Sequence, residues 1–173
     1  MSILAPKKAL KLSLNKSYRS GYEITELAKS ISGNSEIDVV ERHTERPQLI
    51  KVASREAETQ LMRDMIMEAD VNNPTSTAYI FKLEKDAIAF FETLGDLQKR
   101  ATLLVSGCQA FTNGIVVTTS HMAKGLEFDE VVIPNVTKAN YNDEMDKSLL
   151  YIACTRAMHR LKMILSGEQT EFI

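Results

Sequence analysis

Only two cysteines, Cys108 and Cys154, occur in the 173 residues. They are too few for a disulfide framework and have no partner at metal-ligand spacing, which fits a reducing compartment and a cytoplasmic protein. Seven glycines and four prolines, with no biased tract, exclude a collagenous or low-complexity chain. No run approaches the roughly 18 consecutive apolar residues of a membrane span, so no membrane partner is expected. Export is not expected either, because Lys7, Lys8 and Lys11 follow the first small apolar residues, the reverse of a secretory signal. What the sequence does have is 44% hydrophobic and 25% charged residues. That composition buries a substantial core, and one domain over residues 1–173 is expected.

A net charge of -2 carries no bulk signature for nucleic acid. The basic character is local: residues 1–20 hold Lys7, Lys8, Lys11, Lys16 and Arg19 with no acid. Contact with a polyanion must then come from placed side chains.

Hydrophobic periodicity gives an alternating order of elements. A strand is predicted at Leu10 to Leu14, followed by a helix that Ser20 and Glu23 open as a capping box. Ile24, Leu27, Ala28 and Ile31 form its apolar face, and Gly33-Asn34 ends it. Strands are predicted at Ile37 to Val40 and Gln48 to Val52. Ser54 caps a helix to about Ala69, with Ala57, Leu61, Met65 and Ala69 as its stripe. Thr77 to Leu83 reads as a strand, Lys85 to Gln98 as a helix, and Thr102 to Val105 and Ile115 to Thr119 as two strands. Val131 to Pro134 suits a strand covered on both faces. A helix over Asp143 to Met158 and a strand at Leu161 to Leu165 close the order. Such alternation predicts an α/β layer structure with a mostly parallel sheet, whose ligands bind at the carboxyl ends of the strands.

Three segments hold residues suited to chemistry. Tyr18-Arg19-Ser20 places an aromatic ring and a guanidinium before a helix start, where a fork of donors matches phosphate geometry. A surface arginine there is also ordinarily just solvated. Thr118 to Asp129 follows a strand and gathers Thr119, His121, Lys124, Gly125 and Glu127. Side chains and amides of that kind converge on phosphate oxygens, and Glu127 can accept from sugar hydroxyls. His121 taken singly reads equally as a structural histidine. Leu149 to Met158 reads as a helix with Leu149, Ile152 and Ala153 buried and Arg156 near its end. That arginine either complements the helix C-terminus or is held toward a ligand in a neighbouring domain.

Together the three segments resemble motifs IV, V and VI of UvrD/Rep-like superfamily 1 helicases. The elements are a YRS string, T-x-H-x-x-KGLEFD and L-x-Y-x-A-x-TRA, in that order. The resemblance runs from Leu14 to about Leu165, although residues 23–114 match only in general pattern. It implies the second, C-terminal motor domain of a 3′ to 5′ DNA helicase, with a RecA-like, P-loop-NTPase-type three-layer α/β/α fold. In that likeness Tyr18 stacks on the adenine of ATP and Arg19 reaches the γ-phosphate. Gly125 approaches the phosphates and Glu127 binds the ribose. Arg156 is the arginine finger, and Thr119 and His121 touch the backbone of single-stranded DNA.

The sequence also departs from a complete motor. It contains no G-x-x-x-x-G-K-[ST] loop, and Asp129-Glu130 does not end an apolar strand as a metal-binding acid would. The Mg²⁺ ligands and the phosphate-cradling amides are therefore expected from an N-terminal RecA-like domain of the same polypeptide, and no metal site is expected here. The stretch between Arg19 and Gly114 is too short for the large insertion many such helicases carry, which resembles the compact helicase IV type. Gly21 stands where the family often has threonine. Two other readings remain open: a non-catalytic nucleic-acid or protein-binding module, and an ATP-driven factor that remodels RNA polymerase.

Overall fold

The computed structural model describes residues 16–17, 20–33, 38–39, 42–69, 76–107 and 114–173, with backbone alone at 16–17 and 38–39. Tyr18, Arg19, Cys108 and the strand expected at Leu10 to Leu14 lie outside these. The elements are β1 (Lys16–Ser17), α1 (Tyr22–Ser32), β2 (Asp38–Val39), β3 (Gln48–Lys51), α2 (Arg55–Glu68) and β4 (Thr77–Phe81). Then come α3 (Glu84–Thr93) with a 3₁₀ extension at Gly95–Arg100, β5 (Ala101–Leu104), β6 (Ile115–Thr119), β7 (Phe128–Ile133), α4 (Glu144–Cys154) and β8 (Ala157–Leu165). Strands β3-β8-β7-β4-β6-β5 form a six-stranded sheet in that order, and every pairing in it is parallel. β1 and β2 pair separately.

A parallel sheet needs both faces covered, because its crossovers place helices on each side. The strand alternation divides the core accordingly. Ala78, Ile80, Val116, Val131 and Ile133 pack with Ile24 and Ile31 of α1 and Leu150 of α4. Tyr79, Phe81, Val117, Val132 and Ile164 pack with Met62 and Ile66 of α2 and with Phe90 of α3. The three layers are thus α1 and α4, the sheet, and α2 with α3. The central strand β4 is buried at every position, and each large apolar side chain so covered contributes about 1.5–3 kcal/mol. On the second face, Tyr79 and Phe81 meet Phe90 with ring centroids 5.9 and 5.4 Å apart.

Several local expectations are corrected. Gly21, not Ser20, is the N-cap of α1, and it makes no side-chain cap. Glu23 turns away instead to Thr44 and His43. Ser54 does cap α2, accepting from the Ala57 amide. The most buried line of α2 is Glu58, Met62 and Ile66, one residue beyond the predicted stripe, because the Asn135 amide donates to the buried Glu58 carboxylate. β7 begins three residues before Val131, since Asp129 and Glu130 find polar partners at its start. α4 stops at Cys154, and Ala157 and Met158 open β8. Among the described residues no helix is long and apolar enough to cross a membrane.

Candidate functional site

The segment after β6 connects the two ends of the sheet. The Thr118 hydroxyl donates to the Leu104 carbonyl at 2.8 Å, tying β6 to β5. Beyond it, the Ser120 amide donates to the Phe81 carbonyl at 3.3 Å, the last bond of this edge. The chain then coils: the Ala123 amide donates to Thr119 O, Lys124 to His121 O, and Leu126 to Ala123 O. Ala123 is fully buried against the α1/α4 face, while His121, Lys124, Gly125 and Glu127 are exposed. Thr119 is 4% exposed, and its hydroxyl accepts from the Met122 amide at 3.4 Å. That side chain therefore shapes the turn beneath His121.

Gly125 has φ +89° with nothing near its absent β-carbon. The glycine is required there by backbone conformation, not by crowding. The turn delivers Glu127 to the start of β7, at the amino edge of the sheet.

Arg156 lies in the turn between α4 and β8 rather than on the helix. Its Nη1 donates to the Leu126 carbonyl at 3.2 Å, Nε to Ile152 O at 3.2 Å, and Nη2 to Thr155 Oγ1 at 3.2 Å. The Phe128 amide returns a bond to the Arg156 carbonyl at 3.0 Å. Arg156 and the Leu126–Phe128 stretch thus clasp each other from both sides. The Gly21 amide donates to Met158 O at 3.2 Å, so the turn that follows Arg19 docks two residues beyond Arg156.

This arrangement revises the expected location. Thr119 and His121 stand at the carboxyl edge, as a parallel sheet predicts. Gly21, Glu127 and Arg156 gather instead at the amino ends of β7 and β8, because residues 120–127 cross the whole face.

The neighbouring acids have other work. The Ser76 hydroxyl and amide donate to Asp129 at 2.8 and 2.9 Å, and these bonds hold its carboxyl below the usual range. Glu130 accepts from Arg160 at 3.1 Å and Lys162 at 2.7 Å. Among the described residues, no group of three or more His, Cys, Asp or Glu side chains is placed to hold a metal ion. Cys154 is buried, and burial pushes its thiol up to about 12, which leaves it inert.

Residues 114–164 match the family model of the UvrD-like helicase C-terminal domain. Over a wider span, the chain is 31% identical to the C-terminal domain of a possible DNA helicase from Lactobacillus plantarum WCFS1. That structure superposes with a TM-score of 0.72 over 90% of this chain and 91% of the other. The chain belongs to the UvrD-like helicase C-terminal domain family. A 68-residue stretch, 38% of this chain, is 35% identical to the RecBCD enzyme subunit RecB of Chlamydia pneumoniae, and the match spans 6% of that protein's length. The helicase of an arterivirus, nonstructural protein 10, solved with DNA, shares the fold at TM-score 0.51 and 10% identity. Its alignment covers 82% of this chain and 30% of that one.

Some contacts around these segments carried no sequence signal. Residues 42–44 lie over the start of α1, where the Arg42 carbonyl accepts from the Tyr22 amide at 2.8 Å. Nothing in their composition marks them. Lys82, at the end of β4, pairs with Asp146 of α4 and donates to the Asn140 carbonyl at 2.5 Å. Only their positions at the end of a strand and the start of a helix hinted at such a pairing.

Proposed function

We propose that this domain is the second motor half of an ATP-driven 3′ to 5′ DNA helicase or translocase. ATP is held between it and an N-terminal RecA-like domain that carries the P-loop and most Mg²⁺ ligands. The observation that carries the reading is the clasp between Arg156 and Leu126–Phe128 beside the docked Gly21 turn, which brings Gly21, Glu127 and Arg156 to one edge of the sheet. Two arginines, a glutamate and a left-handed glycine suit a nucleoside triphosphate. Guanidinium groups match phosphate oxygens, a carboxylate accepts from ribose hydroxyls, and Gly125 lets the backbone approach closely. Tyr18 stacks on the adenine.

Bound ATP supplies a cleavable phosphoanhydride, and this chain's part is to bind, orient and neutralise charge. Arg156 now bonds a neutral carbonyl. Exchanging Leu126 O for a phosphate oxygen replaces a bond to a dipole with an ion pair, so developing negative charge draws the guanidinium out. Releasing Leu126 loosens one end of residues 120–127. The other end carries His121, which contacts the DNA backbone over the turn shaped by Thr119, and that continuity links hydrolysis to movement along the strand.

DNA-stimulated ATP hydrolysis by the 173-residue chain alone tests the division of labour. The expected result is no turnover above that of its Arg156→Ala variant. Turnover clearly above that background contradicts the reading.

A further inference from the structure

We propose that Arg42 is a further phosphate-binding residue of the nucleotide site, a cation that helps Arg156 hold the triphosphate without answering the charge of its cleavage. The proposal rests on the motor-half reading above.

Arg42 is exposed, and its guanidinium meets the ring of His159 near the start of β8. Nη2 lies 3.3 Å from Nδ1 and 3.4 Å from Nε2. A point almost equidistant from both nitrogens of one imidazole cannot lie in the ring plane, because the carbon between them blocks the approach. It lies over the ring face. The contact is therefore a stack, a mode that suits a planar guanidinium, and it spends none of the N–H donors on the ring. Among the described residues no carboxylate forms an ion pair with Arg42; the neighbouring Asp129 lies instead 3.7 Å from His159 Nε2.

An ordinary surface arginine is solvated and mobile. Arg42 is held at both ends. Its carbonyl accepts from the Tyr22 amide at 2.8 Å, which pins its main chain to the start of α1. The ring beneath its side chain is oriented by Asp129, and Asp129 is fixed in turn by the Ser76 amide and hydroxyl at 2.9 and 2.8 Å. A guanidinium already ordered by stacking gives up little freedom when it binds an anion, so its donors are available at low entropic cost.

Position selects the anion. His159 follows Arg156 by three residues, and the Gly21 amide, next to the amide that Arg42 accepts, donates to Met158 O. Arg42 thus stands at the amino edge with Gly21, Glu127 and Arg156, where a fork of donors matches phosphate oxygens. The two arginines differ in one respect. Arg156 must leave Leu126 O, Ile152 O or Thr155 Oγ1 to reach a phosphate, whereas Arg42 keeps its stack and adds a ligand. Arg42 is suited to holding the bound triphosphate, and Arg156 to the charge that develops on it.

Steady-state ATPase of the full-length protein is the test, with the thermal midpoint of each variant recorded. Arg42→Gln is expected to raise KM for ATP about tenfold to a hundredfold, the scale of one lost hydrogen bond to a charged group, while kcat changes little, the pattern of lost uniform binding. His159→Ala should raise KM in the same direction, and His159→Phe, which restores a flat face, should recover much of that loss. Arg156→Ala is measured alongside. If Arg156→Ala abolishes turnover but Arg42→Gln keeps the wild-type KM, the phosphate-binding role is overturned and the motor reading stands. A fall in kcat at unchanged KM overturns it as well, because the guanidinium then serves another partner, such as a carboxylate of the N-terminal domain. If Arg156→Ala hydrolyses ATP like wild type, both fall.

Discussion

Arg156 donates from Nη1 to the Leu126 carbonyl, and the Phe128 amide donates back to the Arg156 carbonyl. Two segments 30 residues apart in sequence thereby form one unit at the amino edge of the sheet. Leu126 O, Ile152 O and Thr155 Oγ1 are among the acceptors that hold the guanidinium. A hydrogen bond that involves a charged group contributes a net of about 1.5–3 kcal/mol, so these contacts fix the guanidinium in place.

Gly125 governs the path of this unit. Gly125→Val is expected to destabilise the domain by about 1–3 kcal/mol, the cost of forcing a branched residue to positive φ. Gly125→Asn should cost less, because asparagine enters the left-handed region more readily. Urea unfolding of the two variants checks the order. Equal costs would point to steric crowding, which the open space around Gly125 contradicts.

Glu23 gives the contact between residues 42–44 and the start of α1 a pH dependence. Hydrogen bonds from the Thr44 amide and then His43 hold its carboxyl down to about 2, from an ordinary 4.5. A depressed folded-state value stabilises the fold above the unfolded value and loses that contribution as pH falls through the folded one. Wild type should therefore exceed Glu23→Gln in stability at pH 7, with the gap closing between about pH 4.5 and 2. Glu58 works in the opposite sense: burial raises its carboxyl above 4.5, so its penalty is full above the raised value and shrinks as pH falls through that value toward 4.5. Thermal melts from about pH 7 down to 2, with Glu58→Gln as second variant, separate the two.

The Lys82–Asp146 pair joins the end of β4 to the start of α4, with side chains 17% and 7% exposed. Lys82→Met should cost about 2 kcal/mol, between the surface and fully buried ranges, by stranding a carboxylate. Lys82→Met with Asp146→Leu should recover much of that loss. Additive losses in the double-mutant cycle would mean that the two charges do not interact.

Much of this was legible in the sequence, and what was missed has a common cause. β6 was read to the residue because Ile115–Thr119 is an apolar β-branched run bounded by Gly114 and a polar turn. The three motif strings are legible in the sequence because their chemistry is local. The α2 stripe was read one residue out of phase because hydrophobicity does not count Glu58, which is buried only by virtue of a partner 77 residues away. α4 was read too long because Ala157 and Met158 continue a helical pattern, and only pairing with β7 takes Ala157 into a strand. The carboxyl-edge rule placed His121 but not Glu127 or Arg156, since no periodicity reveals that eight residues traverse a sheet face. The packing of Thr44 against Gly21 was invisible for the same reason, since the two lie 23 positions apart.

His121 is exposed above the turn that Thr119 shapes. In the full-length protein, His121→Ala should weaken binding of single-stranded oligo-dT and oligo-dA by the same factor, roughly threefold to tenfold, as expected for one backbone contact. A loss confined to one base composition would indicate base readout instead.

The most direct measurement is the ATPase rate of the full-length protein carrying Arg156→Ala, with its thermal midpoint recorded alongside. The expected result is a fall in kcat of about a thousandfold or more, the scale of arginine-finger loss, with the domain still folded. A folded variant that hydrolyses ATP within about twofold of wild type would contradict the assignment of Arg156 to the reacting phosphate.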